Sequence, residues 1–296
     1  MSVATPYPQA SYHHAPTHHA PSVSFEVFPP KSADQDMALS NAMGNFGDLN
    51  PSFVSVTCGA GGSTRVQTYA TVRRIQERLG VPTAAHVTCQ GQTKDSITRL
   101  ANDYQEAGIR HIVALRGDAP KDDAESDFVS AADLVRTLRG IDDFEISVAA
   151  YPEVHPKAPN ADADLDALKE KIDAGATRAI TQFFFDADVF LRFRDRAEAA
   201  GISVPIVPGI LPIMNFARTV QMAVDCGSVI PDRLKKRFAR AQGLPEIEKQ
   251  LGLEEAMALC GRLEHHGVNA FHIYTLNRTE AATAICRSLG VRASAA

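Results

Sequence analysis

A glutamate interrupts a stretch that otherwise reads as an apolar strand. In "SVSFEVFPPK", residues 22–31, Glu26 sits mid-run, just before two prolines. An ionised carboxylate is costly to bury unpaired. Glu26 is therefore a surface residue, a paired one, or a group whose awkward setting serves its chemistry. Other residues able to do chemistry follow: Thr57, His86, Arg116 and Asp118 flanking Gly117, Tyr151, Gln182, and Tyr274 with Arg278. Each alone has a structural explanation: Glu26 pairing with Arg116, His86 as a satisfied buried histidine, Gln182 bonding backbone. Together they offer an acid, a second carboxylate beside a guanidinium, and hydrogen-bonding groups suited to a planar heterocycle. That set fits proton transfer coupled to a cofactor's redox chemistry.

Other chemistries lack their signatures. His86 and His155 have no third ligand at a familiar spacing, and HExxH is absent, so no metal site is expected. There is no GxSxG elbow for a serine nucleophile. The five cysteines, Cys58, Cys89, Cys226, Cys260 and Cys286, form no CxxC and no disulfide framework.

The elements that must position these residues alternate. Strand-like runs cover 23–28, 52–57, 83–88, 111–116, 145–150, 178–183, 204–210 and 270–276. Helical patterns lie between them, including 65–79, 95–107, 130–139, 163–174, 187–200 and 215–225. A longer insertion, about 231–267, precedes the last strand, and 279–289 closes the chain. Five strands follow helix-ending glycine signals, "LGVPT", "AGIRH", "AGATR", "AGISV" and "HGVNA". Eight such units predict an α/β fold, a single (β/α)8 TIM barrel with a helical insertion before the last strand. A doubly wound sheet is the alternative, but the turn after the first strand has no GxGxxG. In a barrel the C-terminal strand ends and following loops form the active site. Seven of the eight strands deliver one of the residues above to that rim. The glycine cluster "GAGGSTR", 59–65, reads either as a flexible loop with Ser63 or Thr64 capping the next helix, or as backbone that a flat ligand approaches closely.

Composition bounds the rest. The 296 residues are 45% hydrophobic and 22% charged, enough for a sizeable core. A net charge of −5 argues against nucleic acid as a partner, and no apolar run reaches membrane-spanning length. Residues 1–21 read as a flexible, disordered Pro/His-rich tail without the apolar middle of a secretory signal, leaving 22–296 as the barrel domain. The His13/His14 and His18/His19 pairs are not expected to bind metal. Reduced, unpaired cysteines predict a cytoplasmic protein.

At these residues the sequence resembles a known family. "SFEVFPPK", "VSVTCGAGGSTR", "ALRGDAP", "SVAAYPEVHP", "AITQFFFD", "PGILPI" and "HIYTLNR" occur in the order seen in bacterial 5,10-methylenetetrahydrofolate reductases, from residue 22 to about 292. The resemblance implies a (β/α)8 barrel holding FAD non-covalently, NADH or NADPH as co-substrate, and ping-pong reduction of 5,10-methylenetetrahydrofolate to 5-methyltetrahydrofolate. It implies a homo-oligomer, with no C-terminal S-adenosylmethionine-binding domain. Glu26 would be the general acid that protonates the folate N10, a role that needs the carboxyl to keep its proton near neutral pH. Asp118 would sit beside the flavin pyrimidine and hydrogen-bond the pterin, Gln182 would serve both substrates, and Thr57 would lie near the reacting face. Folate contacts carry over to Arg278 and, less directly, to Arg218, with Tyr274 at the same rim. FAD contacts carry over to Ala60, His86, Arg116, Gly117, Asp118, Ala131, Tyr151, His155, Ala158, Asp164 and Lys171. Arg116 and Lys171 would meet the diphosphate and Asp164 a ribose. Cys58, Ala167, Glu170, Arg218 and Met222 depart from the family pattern. An FAD barrel of the proline dehydrogenase type is the competing enzyme, and a binding protein without turnover the competing class.

Overall fold

The computed structural model describes residues 20–59, 64–118 and 126–291. The flexible tail expected over residues 1–21 falls almost wholly outside them, as do Ala60 and Ser63.

Strands and helices alternate as β1 (Ser22–Val27), α1 (Ala33–Asp48), β2 (Phe53–Val56), α2 (Arg65–Leu79), β3 (Thr83–Thr88), α3 (Lys94–Glu106), β4 (His111–Leu115) and α4 (Ala131–Arg139). There follow β5 (Glu145–Ala150), α5 (Ala161–Asp173), β6 (Arg178–Thr181), α6 (Ala187–Ala199), β7 (Ile206–Val207) and β8 (Gly209–Ile210). The chain continues through α7 (Phe216–Cys226), α8 (Asp232–Ala239), α9 (Pro245–His265), β9 (Ala270–Tyr274) and α10 (Glu280–Ser288). The sheet order is β7-β6-β5-β4-β3-β2-β1-β9-β8, and every pairing is parallel.

The seventh expected strand is broken at Pro208. Its first half pairs with β6 and its second with β9, so together they close the ring. The nine segments are thus eight staves of a (β/α)8 barrel, and the doubly wound alternative falls.

Local chemistry accounts for the elements. Ser32, Thr93, Ser130, Asn160, Asp186 and Asn215 cap α1, α3, α4, α5, α6 and α7 with their side chains. The glycines of the five turn signals, Gly80, Gly108, Gly175, Gly201 and Gly267, all have positive φ. Helix α1 is absent from the helices enumerated above. Gly44 and Gly47 weaken its propensity, and burial of Leu39, Ala42, Met43 and Phe46 supplies what propensity does not. Thr64 precedes α2 without capping it; its Oγ1 instead accepts from Gly59 N at 2.7 Å.

The helical insertion expected before the last strand is present, and packing sorts its helices into two kinds. Helix α9 is the barrel's own seventh helix, packed between α6 and α10, with Ala256, Cys260 and Leu263 in the main core. Gly252 lets it seat, because a Cβ there would lie 1.8 Å from the Ile213 carbonyl oxygen. The added elements are α7 and α8, which build a second apolar cluster with Phe183, Phe185, Leu211 and Ile213 above the rim. Arg233 and Arg237 both reach Glu255, and Arg233 also donates to Phe185 O at 2.9 Å, fixing α8 to α9 and to the loop after β6.

Strand alternation divides the residues between two faces. Val23, Phe25 and Val27 join the main core under the helices, whereas Ser24 and Glu26 take the alternate positions of β1. Among the buried polar residues of the strands are Ser24, Ser55, His86, His111, Ser147, Thr181 and His272. Beside His111 and His272 lies Phe53, whose ring the Arg178 guanidinium overlies at 5.1 Å. His111 Nε2 lies 2.8 Å from Ser147 Oγ, and burial, reinforced by Arg178, pushes its imidazole down to about 3. It is neutral at any ordinary pH.

Candidate active site

Glu26 lies in the wall of a cleft of about 980 Å³ at the C-terminal rim. Its side chain is only 15% exposed, and Oε2 is 3.3 Å from His86 Nε2 and 3.7 Å from His272 Nε2. The partner of Glu26 is thus a pair of buried imidazoles rather than Arg116. Burial lowers the pKa of His86, Glu26 opposing, so the ring is neutral near pH 7. Both imidazoles approach the same carboxyl oxygen, Oε2. The backbone of Glu26 is equally fixed: its carbonyl accepts from Thr275 N at 3.2 Å and Thr275 Oγ1 at 2.6 Å. Two residues on, Asn277 grips Phe28 from both sides, Oδ1 accepting from Phe28 N at 2.7 Å and Nδ2 donating to Phe28 O at 3.0 Å. Leu276 and Asn277 are non-glycine residues at φ of 51° and 58°, so this turn holds strain beside the cleft.

Thr57, Asp118, Tyr151 and Gln182 line the same cleft, as do Arg218, Tyr274 and Arg278. Gly117, at φ 80°, makes the turn that brings Asp118 there; a Cβ would stand 2.8 Å from Thr88 Cβ. Burial, aided by Cys226, Asp164 and Asp118, pushes the Tyr151 hydroxyl up to about 12. Gln182 Oε1 accepts from the next amide, Phe183 N, at 3.0 Å. Tyr274 donates its hydroxyl to Thr181 O at 2.7 Å, crossing Gly209, where a Cβ would collide with both. Its ring forms a fixed wall. Cys58 and Met222, two of the departures from the family pattern, also line the cleft.

The remaining expected cofactor residues gather beside the cleft. His155 packs edge-on against Tyr151 with ring centroids 4.5 Å apart, and its backbone N donates to Asp164 at 3.0 Å. Ala158 N donates to His155 O at 2.8 Å. The Lys171 ammonium donates to the carbonyl of Ala149, itself a cleft residue, at 2.5 Å. Burial draws Lys171 down to about 8, with Asp164 opposing. Arg116 is exposed; its carbonyl and that of Ser130 each lie 3.7 Å from Cys89 Sγ, which brings the loop before Ala131 against the one carrying Arg116 and Gly117. Ala60 lies outside the described residues. Glu170 is committed to Arg136 at 3.0 Å and Ala167 is exposed.

Several cleft residues are missing from the sequence-based set. Lys31 sits in the quoted "FPPK", Asn277 in "HIYTLNR", and Thr219 one residue beyond Arg218. More consequential is a residue buried behind the cleft wall, His272, two residues before Tyr274 on the same strand face. The period-2 rule would have found it; attention to strand ends alone passed over it. Among the described residues no group of three or more metal-ligating side chains gathers, and no helix is long and apolar enough to cross a membrane.

The family model for methylenetetrahydrofolate reductase matches residues 11–290. The 5,10-methylenetetrahydrofolate reductase of Pectobacterium carotovorum subsp. carotovorum is 49% identical over 270 residues, covering 91% of this chain and 90% of that protein. The Escherichia coli K12 enzyme of the same name is 47% identical over 270 residues, with 91% of each chain covered. Methylenetetrahydrofolate reductase (NADH) 1 of Arabidopsis thaliana is 37% identical over 284 residues, 48% of its own length. Among solved structures, an uncharacterized protein from Clostridium thermocellum that binds two copies of 5-methyl-5,6,7,8-tetrahydrofolic acid superposes with a TM-score of 0.66 at 14% identity. It covers 92% of this chain and 95% of that one, a likeness of fold.

Proposed function

The chain belongs to the methylenetetrahydrofolate reductase family, and from that premise we propose that it reduces 5,10-methylenetetrahydrofolate to 5-methyltetrahydrofolate, using non-covalent FAD and NADH or NADPH, with Glu26 as general acid. The observation that carries this reading is the largely buried carboxyl of Glu26, set between two imidazoles on the wall of a cleft large enough for a flat two-ring substrate above a flat cofactor.

The residues present fit a flavin dinucleotide. Val113, Leu115, Ala149 and Ile180 give the cleft an apolar floor for a planar ring system. Lys171 and Arg116 supply cations for a diphosphate. Among the described residues Asp164 is the charge that offsets the half-buried Lys171, and an anion would restore its full protonation. When bound, the flavin would supply the redox chemistry that links the nicotinamide to the folate.

The chain's own residues do the rest. Glu26 donates its proton to the folate N10, which opens the bridging ring and leaves an electrophilic iminium at N5; the carboxylate remains behind. Asp118 orients the pterin by accepting from its N–H donors, and its charge disfavours excess negative charge on the neighbouring cofactor ring. Gln182 carries both donor and acceptor, so it can turn to suit a pterin or a carboxamide as the two substrates occupy the cleft in turn. Arg278, exposed at the rim with Arg218 on α7, offers a cation to an anionic part of the folate.

The test is spectroscopic. Purified protein should be yellow, lose its colour anaerobically on addition of NADH or NADPH, and regain it with methylenetetrahydrofolate. A colourless protein, or bleaching by proline in place of the nicotinamide, would overturn the reading.

A further inference from the structure

His272 is 1% exposed, yet its Nε2 is a buried nitrogen without a hydrogen-bond partner. That atom lies 3.7 Å from Glu26 Oε2. An orphaned buried polar atom needs a reason.

The other ring nitrogen supplies one. His272 Nδ1 is 2.8 Å from Ser24 Oγ, and Ser24 Oγ donates to the carbonyl oxygen of Phe271 at 3.3 Å. A hydroxyl has one proton. With that proton given to Phe271 O, Ser24 Oγ can only accept from His272, so a ring carrying a single proton carries it on Nδ1. Nε2 then presents a bare lone pair to Glu26. A carboxylate oxygen facing a lone pair is repelled; a protonated carboxyl facing the same lone pair donates to it. His86 approaches the same Oε2 at 3.3 Å from β3. His86 Nε2 is likewise without a hydrogen-bond partner; with the tautomer set by Ser24, a protonated Glu26 can accept from a His86 N–H while its own O–H turns to His272.

We propose that His272, oriented by Ser24, is a positioning residue for the acid: its Nε2 lone pair accepts the Glu26 carboxyl proton and holds the carboxyl ready between turnovers. The inference rests on the acid role given to Glu26 above. The pair holds one proton. It leaves by way of Glu26, because His272 is sealed in the barrel and does not line the cleft. On delivery the Glu26 O–H bond breaks, its electron pair stays on the carboxylate, and the substrate nitrogen forms the new N–H bond. Around the pair stand Tyr274 on β9, and His111 and Arg178 deeper in the barrel. Tyr274 stays protonated because burial raises its hydroxyl well above the ordinary range, so it does not compete for the proton.

The experiment reads the tautomer directly. Long-range proton–nitrogen NMR correlations on the ¹⁵N-labelled full-length protein, with His272 assigned by its loss in His272→Gln, should show Nδ1 protonated and Nε2 bare. In Ser24→Ala an Nε2–H population should appear, and kcat for folate reduction should fall about tenfold with KM changed less than about twofold. Ser24→Thr keeps the hydroxyl and should recover both. A proton on Nε2 in the unsubstituted protein, or an unaltered kcat in a folded Ser24→Ala, overturns the proposal. The tautomer needs no turnover to be read. If instead Glu26→Gln keeps full folate activity, it is the acid assignment that fails.

Discussion

At the scale of single residues, Glu26 is a carboxyl whose surroundings matter more than its identity. Glu26→Gln preserves shape while removing the proton to be donated. The variant should fold, and folate reduction should fall on the order of 10²-fold or more; stopped-flow measurement with methylenetetrahydrofolate checks this, and normal turnover would end the assignment. Lys171 makes a different kind of prediction. Its pKa of about 8 lies below the ~10.4 of an unfolded lysine. The folded chain without ligand therefore binds fewer protons than the unfolded chain between those values, and its stability should rise with pH across that window. Affinity for an anionic cofactor should do the opposite, weakening as pH passes 8 and the ammonium loses its proton. In Lys171→Arg, which stays charged, the fall should flatten. Fluorescence titration of FAD from about pH 6.5 to about 9.5 distinguishes them, and an equal fall in both proteins would show that Lys171 does not meet the anion.

At the scale of elements, α9 offers a paired test of how the rim is held. Gly252 faces the Ile213 carbonyl at a distance that admits no Cβ, whereas Gly261 on the same helix has open space around it. Gly252→Ala should destabilise by about 3 kcal/mol or more, since backbone cannot move aside as a flexible side chain can. Gly261→Ala should stabilise by roughly 0.5–1 kcal/mol through helix propensity. Urea denaturation of the two variants reads both signs. Equal effects would mean that α9 does not pack on the chain after β8 as described. The helical insertion expected over 231–267 holds both an added helix, α8, and a barrel helix, α9. Amphipathic pattern marks a helix, but only packing distinguishes a barrel helix from an added one.

For the whole molecule, closure depends on its thinnest seam. The broken seventh stave contributes two paired residues to β6 and two to β9, whereas β3 and β4 share five. Residues 206–210 should therefore show the fastest amide exchange of any barrel strand. Hydrogen–deuterium exchange read by mass spectrometry tests this; protection there equal to that of β3 and β4 would show that the α7–α9 layer, not the ladder, secures the closure.

Much of this molecule follows from local pattern. Alternating period-2 and helical runs, with a left-handed glycine before five strands, were enough for a parallel barrel, because each signal acts within a few residues. Parallel strands then put Glu26, Thr57, His86, Asp118, Tyr151 and Gln182 at one end, and the cleft contains all six. Which of them meet was beyond the sequence. Glu26 faces His86 and His272, residues 60 and 246 positions away, and not Arg116. Ser24 meets a ring nitrogen of His272 at the far end of the chain, and Asn277 holds Phe28 across the β1–β9 seam. Strand pairing, register and the closing of the ring create those contacts, and no local periodicity encodes them.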